Sequence, residues 1–88
     1  MDNINIFGIN YIIEYYGKDV QHDGSLGASN SRLGLIRICK DMPEDVQKST
    51  ILHEILHQIS EKNGLNLSEA QILCLESGLF PIVNFKQQ

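Results

Sequence analysis

No apolar run in the 88 residues reaches the ~18 needed to cross a bilayer. Met1-Asp2-Asn3-Ile4 also lacks the basic segment and apolar core of a secretion leader. A cytoplasmic location is therefore expected. Lysine and arginine number only seven, are scattered rather than clustered, and leave a net charge of -4. A surface of that sign suits neither nucleic acid nor an anionic membrane, so neither is expected as a partner. Cysteine is scarce too. Cys39 and Cys74 stand far apart and form no C-x-x-C pair, which excludes a readable redox or Cys-type zinc motif. Without a leader no disulfide is expected, and both cysteines read as small buried apolar residues. Internal repeats, low-complexity tracts and linkers are absent as well. Residues 1–88 are expected to form one small domain that buries only ~60–65% of its unfolded surface.

What is present is the composition of an ordinary globular chain, 42% hydrophobic and 20% charged. Residues 4–16 are rich in β-branched and aromatic types, with partial alternation on either side of Gly8, and predict one or two strands with a bulge or tight bend at that glycine. Residues 17–30 carry Asp23-Gly24 and several Gly, Ser and Asn, and predict a loop with a short strand near Leu26 to Ala28. Gly34 to Cys39 reads as a strand, with Arg37 too polar to face a core. The period then changes at Asp41-Met42-Pro43-Glu44-Asp45, where Pro and carboxylates suit a helix start and Asp41 with Glu44 fits a capping box.

That helix should run to about Lys62, stop at Asn63-Gly64, and form the core of the domain. Ser68 followed by Gln71 is a second capping-box signature, so another helix starts at about Glu69 and should carry Ile72, Leu73, Leu75 and Leu79 inward. A last turn over residues 82–85 and a frayed tail over 86–88 would follow. The order implies an α+β fold, with a small antiparallel sheet of about three strands packed on two helices.

The first of these helices holds Ile51-Leu52-His53-Glu54-Ile55-Leu56-His57, an H-E-x-x-H motif in an apolar setting. Residues four apart lie on one helix face, so both imidazoles can address a single ion. Glu54, about 100° further round, can reach a water in the ion's open position. The bland alternative is a helix flank with two histidines and a solvated glutamate. A catalytic zinc normally takes three protein ligands. Beyond Gly64 the carboxylates are Glu69 and Glu76, seven residues apart and roughly on one helix face, and no His or Asp lies downstream to complete an extended H-E-x-x-H-x-x-G-x-x-H site. Hairpin geometry would bring Glu76 level with the histidines, whereas crossed helices would bring Glu69.

The segment Ser49-Thr50-Ile51-Leu52-His53-Glu54-Ile55-Leu56-His57-Gln58-Ile59, with Gly64-Leu65-Asn66-Leu67-Ser68-Glu69 leading into Gly78-Leu79, resembles the small phage- and prophage-encoded relatives of the ImmA/IrrE metallopeptidases, themselves similar to the thermolysin-like gluzincins. Ile6 to Tyr11 and Ile36-Arg37-Ile38 support the likeness more loosely. The resemblance implies a minimal zincin-like domain holding one Zn2+, with His53, His57 and Glu69 as metal ligands and Glu54 as general base. Glu76 departs from the pattern, since relatives tend to carry a small residue there. The implied activity is peptide-bond hydrolysis, with a peptide or protein as substrate. A non-catalytic interaction protein retaining a structural or vestigial zinc is the competing class, and a metal-free helical module a third. Tyr11, Tyr15, Tyr16 and His22 are the side chains that could polarise a substrate carbonyl.

Overall fold

The computed structural model describes residues 3–17 and 27–83. Along them run β1 (Asn3–Ile6), β2 (Ile9–Tyr16), β3 (Gly27–Asn30), β4 (Leu35–Cys39), α1 (Glu44–Lys62) and α2 (Glu69–Leu79). The expected bend at Gly8 is a two-residue hairpin turn. Phe7 and Gly8 both take positive φ, 50° and 86°, which is what a turn matching the twist of two antiparallel strands requires. The Gly8 N–H donates to Asn5 Oδ1 at 2.8 Å, and Ile6 pairs with Ile9. A second hairpin joins β3 to β4. There Asn30 Oδ1 accepts from the N–H groups of Arg32 and Leu33, and Gly34 closes the turn at φ 61°.

The strands form one sheet in the order β1-β2-β4-β3. It has four strands where about three were expected, and it is mixed rather than antiparallel. β4 runs antiparallel to β3 but parallel to β2, with Ile13 opposite Ile36 and Tyr15 opposite Ile38. An alternation of period two is the same whichever way the partner runs, so strand direction was not in the pattern.

Ile6, Tyr11, Ile13, Ile36 and Ile38 point to one side of the sheet and pack on Ile51 of α1, with Ile55 and Ile59 partly buried beside them. On its other flank, Leu52 and Leu56 of α1 meet Ile72 of α2, flanked by Leu67, Leu79 and Phe80. Helix α1 is thus covered from two directions and is the core element, as its apolar residues on more than one face implied. Among the described residues, the far side of the sheet carries the exposed Ile12, Glu14 and Arg37. Arg37 lies there, paired with Glu14 at 3.0 Å and stacked over the Tyr16 ring.

The helix ends differ from one another. The capping box expected from Asp41 and Glu44 does not form, because the N-cap falls on Pro43, which offers no side-chain acceptor. Gln47 Nε2 instead ties the entry down by donating to the carbonyls of Met42 and Lys40. At the other end α1 stops at Lys62, with Gly64 at φ 62°. The link then folds back. The Leu65 N–H donates to the Ser60 carbonyl and the Leu67 N–H to Ser60 Oγ, both at 3.0 Å. Helix α2 opens with the Ser68/Gln71 box, both halves made.

Only Ile72 of α2 is fully buried. Leu73 and Leu75, expected to point inward, are 49% and 40% exposed, and Cys74 is exposed rather than buried. The reason is that α2 packs on α1 along a single stripe, the one that Ile72 and Leu79 share at i, i+7. Cys39 is buried as expected. No helix among the described residues is long and apolar enough to cross a membrane. The tail over 86–88 lies outside the described residues.

Candidate metal centre

On α1, His53 and His57 bring their Nε2 atoms to 3.1 Å of one another, with ring planes inclined at 65°. Glu69, the first residue of α2, places Oε1 at 3.0 Å from each of those nitrogens. Two ring nitrogens and a carboxylate oxygen thus converge on one small volume. Donors about 2.0–2.1 Å from a tetrahedral ion stand roughly 3.3 Å apart, so the observed triangle is only a few tenths of an ångström tight. His53, His57 and Glu69 thus form a group that could hold a metal ion.

Two features of the chain make this convergence. The i, i+4 spacing sets both rings on one flank of α1. The link pinned to Ser60 returns α2 at an angle that carries its first turn back over His57.

Glu76 has a different place. Its Oε1 lies 2.7 Å from His53 Nδ1, the ring nitrogen opposite the triangle. That contact holds one edge of the ring against Glu76 and leaves the Nε2 edge facing Glu69 and His57. The two downstream carboxylates therefore do not compete for one position. Glu69 stands with the Nε2 pair, and Glu76 orients the His53 ring from behind. A partner of that kind typically sharpens a histidine's ligation. The sequence signal for it was the seven-residue spacing, which sets both carboxylates on one face of α2.

Glu54 is buried, only 8% exposed, and its Oε1 accepts from Ser29 Oγ of β3 at 2.8 Å. Ser29 was not foreseen from the sequence. It reaches the glutamate because β3 lies very close to α1, and Gly27 permits that approach. A Cβ there would sit 2.7 Å from Thr50 Cγ2 and 3.1 Å from the Arg37 carbonyl. A cleft of about 490 Å³ opens between β3 and α2, lined by Glu54, both histidines, Glu69 and Glu76, with Ala28 and Leu73 on opposite walls.

The tyrosines lie elsewhere. Tyr11 is wholly buried and donates its hydroxyl to Gln58 Oε1 at 2.8 Å. Burial, and secondarily the charge of Glu61, push its phenol pKa above the ordinary value. Tyr15 packs against the sheet-side core, and Tyr16 lies under Arg37. None of the three is among the described residues lining the cleft. His22 lies outside the described residues. No protein-family model matches this chain, and no curated protein or solved structure is significantly similar to it.

Proposed function

We propose that this chain is a zinc-dependent peptide hydrolase built as a minimal zincin-like domain. The observation that carries the reading is the triangle of His53 Nε2, His57 Nε2 and Glu69 Oε1 beside a buried Glu54 in an open cleft. Two imidazoles and a carboxylate suit zinc, and three protein donors are the number a catalytic zinc uses. Structural zinc sites are closed by four protein ligands, whereas the Glu69 side chain is 59% exposed and the cleft gives access to the donors. The bound ion would supply Lewis acidity toward a water and a substrate carbonyl.

The remaining work belongs to the chain itself. Glu54, one residue beyond His53 and turned toward β3, takes the proton of the attacking water and returns it to the leaving amine. Glu76 holds the His53 ring. The outer edge of β3, which among the described residues is bonded to β4 on one side only, offers backbone groups to an extended peptide by strand addition. The likeness of His53 to His57, with Glu69 downstream, to phage and prophage ImmA/IrrE-like metallopeptidases supports the same reading.

Metal analysis of protein purified without added zinc, followed by hydrolysis of an unstructured protein substrate, tests it. Glu54→Gln should keep the metal and lower hydrolysis roughly 10²-fold or more. Loss of the metal in that variant would make Glu54 a ligand and overturn the mechanism. The exposed leucines of α2, Leu73 and Leu75, favour a second reading, an interaction protein that retains its metal without catalysis. Stoichiometric metal with no hydrolysis would select it.

A further inference from the structure

A chain of hydrogen bonds, buried at its head and part-buried toward the cleft, runs from the middle of the sheet to Glu54. Tyr11 Oη donates to Gln58 Oε1, Gln58 Nε2 donates to Ser29 Oγ, and Ser29 Oγ stands against Glu54 Oε1, each at 2.8 Å. Its direction is set by the donor inventory. With the amide oxygen taken by the phenol, the Gln58 amide nitrogen faces Ser29 and, at 3.2 Å, Glu61 Oε2. The serine hydroxyl has one proton, and with the amide occupying its acceptor side, that proton goes to the carboxylate. Tyr11 and Gln58 are fully buried, so water does not replace the link between them. The raised phenol pKa keeps the proton at the head of the chain.

The four residues come from three elements: Tyr11 from β2, Gln58 and Glu54 from successive turns of α1, and Ser29 from the edge strand β3. A buried carboxylate could be satisfied by any single donor. Here three side chains fix which oxygen is used. We propose that Ser29, oriented by Gln58 and Tyr11, is a positioning residue for Glu54, holding Oε1 so that the other carboxylate oxygen is presented to the cleft. It also ties the carboxylate to the strand along which a peptide would lie. The inference rests on the hydrolase reading for its consequence, but the orientation of Glu54 is measurable without it.

The experiment compares Ser29→Ala, Ser29→Thr and Glu54→Gln, each checked for metal stoichiometry and thermal midpoint. In metal-free protein labelled at the glutamate carboxyl carbons, Ser29→Ala should move the Glu54 resonance and leave those of Glu69 and Glu76 in place. Ser29→Thr, which keeps the hydroxyl, should restore it. An unmoved Glu54 resonance overturns the proposal even if the protein hydrolyses nothing.

With hydrolysis in hand, Ser29→Ala should lower kcat by roughly 10–100-fold, the cost of a misplaced reacting group, with KM and metal content unchanged. Ser29→Thr should recover most of it, and in the Glu54→Gln background Ser29→Ala should cost nothing further. A full additional loss in that double variant, or a threonine as defective as alanine, would show that Ser29 does not act through Glu54. Should Ser29→Ala fail to fold, Tyr11→Phe and Gln58→Met reach the same resonance from further along the chain, and a Glu54 signal unmoved in both would be as decisive.

Discussion

Replacing the two α2 carboxylates one at a time separates the proposed metal donor from the residue proposed to orient one. Glu69 Oε1 is 3.0 Å from both Nε2 atoms, so Glu69→Ala leaves two of three protein donors. Glu76 reaches only His53 Nδ1, at 2.7 Å, so Glu76→Ala leaves the triangle intact and frees the ring to turn. Loss of an outer partner to a ligating histidine typically weakens metal binding 10–100-fold, about 1.4–2.8 kcal/mol. Glu69→Ala should exceed that by a further tenfold or more. The carboxamide oxygen of Glu76→Gln can still accept from Nδ1–H, so that variant should fall between Glu76→Ala and the parent.

Stability of the metal-free protein gives an independent check. The Glu69 side chain is 59% exposed at the start of α2, and its removal should cost no more than the helix-dipole contribution, about 0.3–1 kcal/mol. Zinc titration in competition with a chromophoric chelator reads the affinities, and urea unfolding in EDTA reads the stabilities. Near-parental zinc affinity in Glu69→Ala, together with loss of stoichiometric binding in Glu76→Ala, would move the third ligand to Glu76.

Three further outcomes follow from the same geometry. Because the donors come from both helices, zinc at 100 times its dissociation constant should stabilise the fold by about 2.7 kcal/mol, so EDTA should lower the thermal midpoint by roughly 10–20 °C; a midpoint indifferent to EDTA and zinc would refute the coupling. Tyr11 has its pKa raised in the fold, so its contribution is fully present below the unfolded value of about 10 and is lost as pH rises through the higher folded value. Tyr11→Phe should cost about 1–3 kcal/mol at neutral pH by leaving Gln58 Oε1 unpaired, yet flatten the alkaline decline in stability measured between pH 8 and 11. Ile72→Ala should cost about 2–5 kcal/mol in the metal-free protein, since that side chain is fully buried where α2 meets α1, and should weaken zinc binding by loosening Glu69; unchanged affinity would mean that Glu69 is held by its own turn.

Local chemistry was legible in the sequence. The hairpin bend at Gly8, the stop at Asn63-Gly64, the Ser68/Gln71 box and the shared face of His53 and His57 each depend on residues within one turn or one hairpin. Pattern and propensity act over that range. The parallel pairing of β2 with β4, the failed box at Asp41 and Glu44, and the outward Leu73, Leu75 and Cys74 were not legible. Each depends on what another element does: which strand claims the edge, where Pro43 sets the first turn, and how many sides of α2 find a partner.

The site divides in the same way. H-E-x-x-H named two donors and a candidate base from spacing alone, but Glu69 and Glu76 share a helix face, and no spacing rule assigns one of them to Nε2 and the other to Nδ1. The angle at which Ser60 and the following link return α2 made that assignment. Ser29 lies 25 residues before Glu54 and became its partner only because Gly27 lets β3 approach Thr50. One-dimensional order carries short-range geometry, whereas contacts between distant side chains are decided by the packing of whole elements.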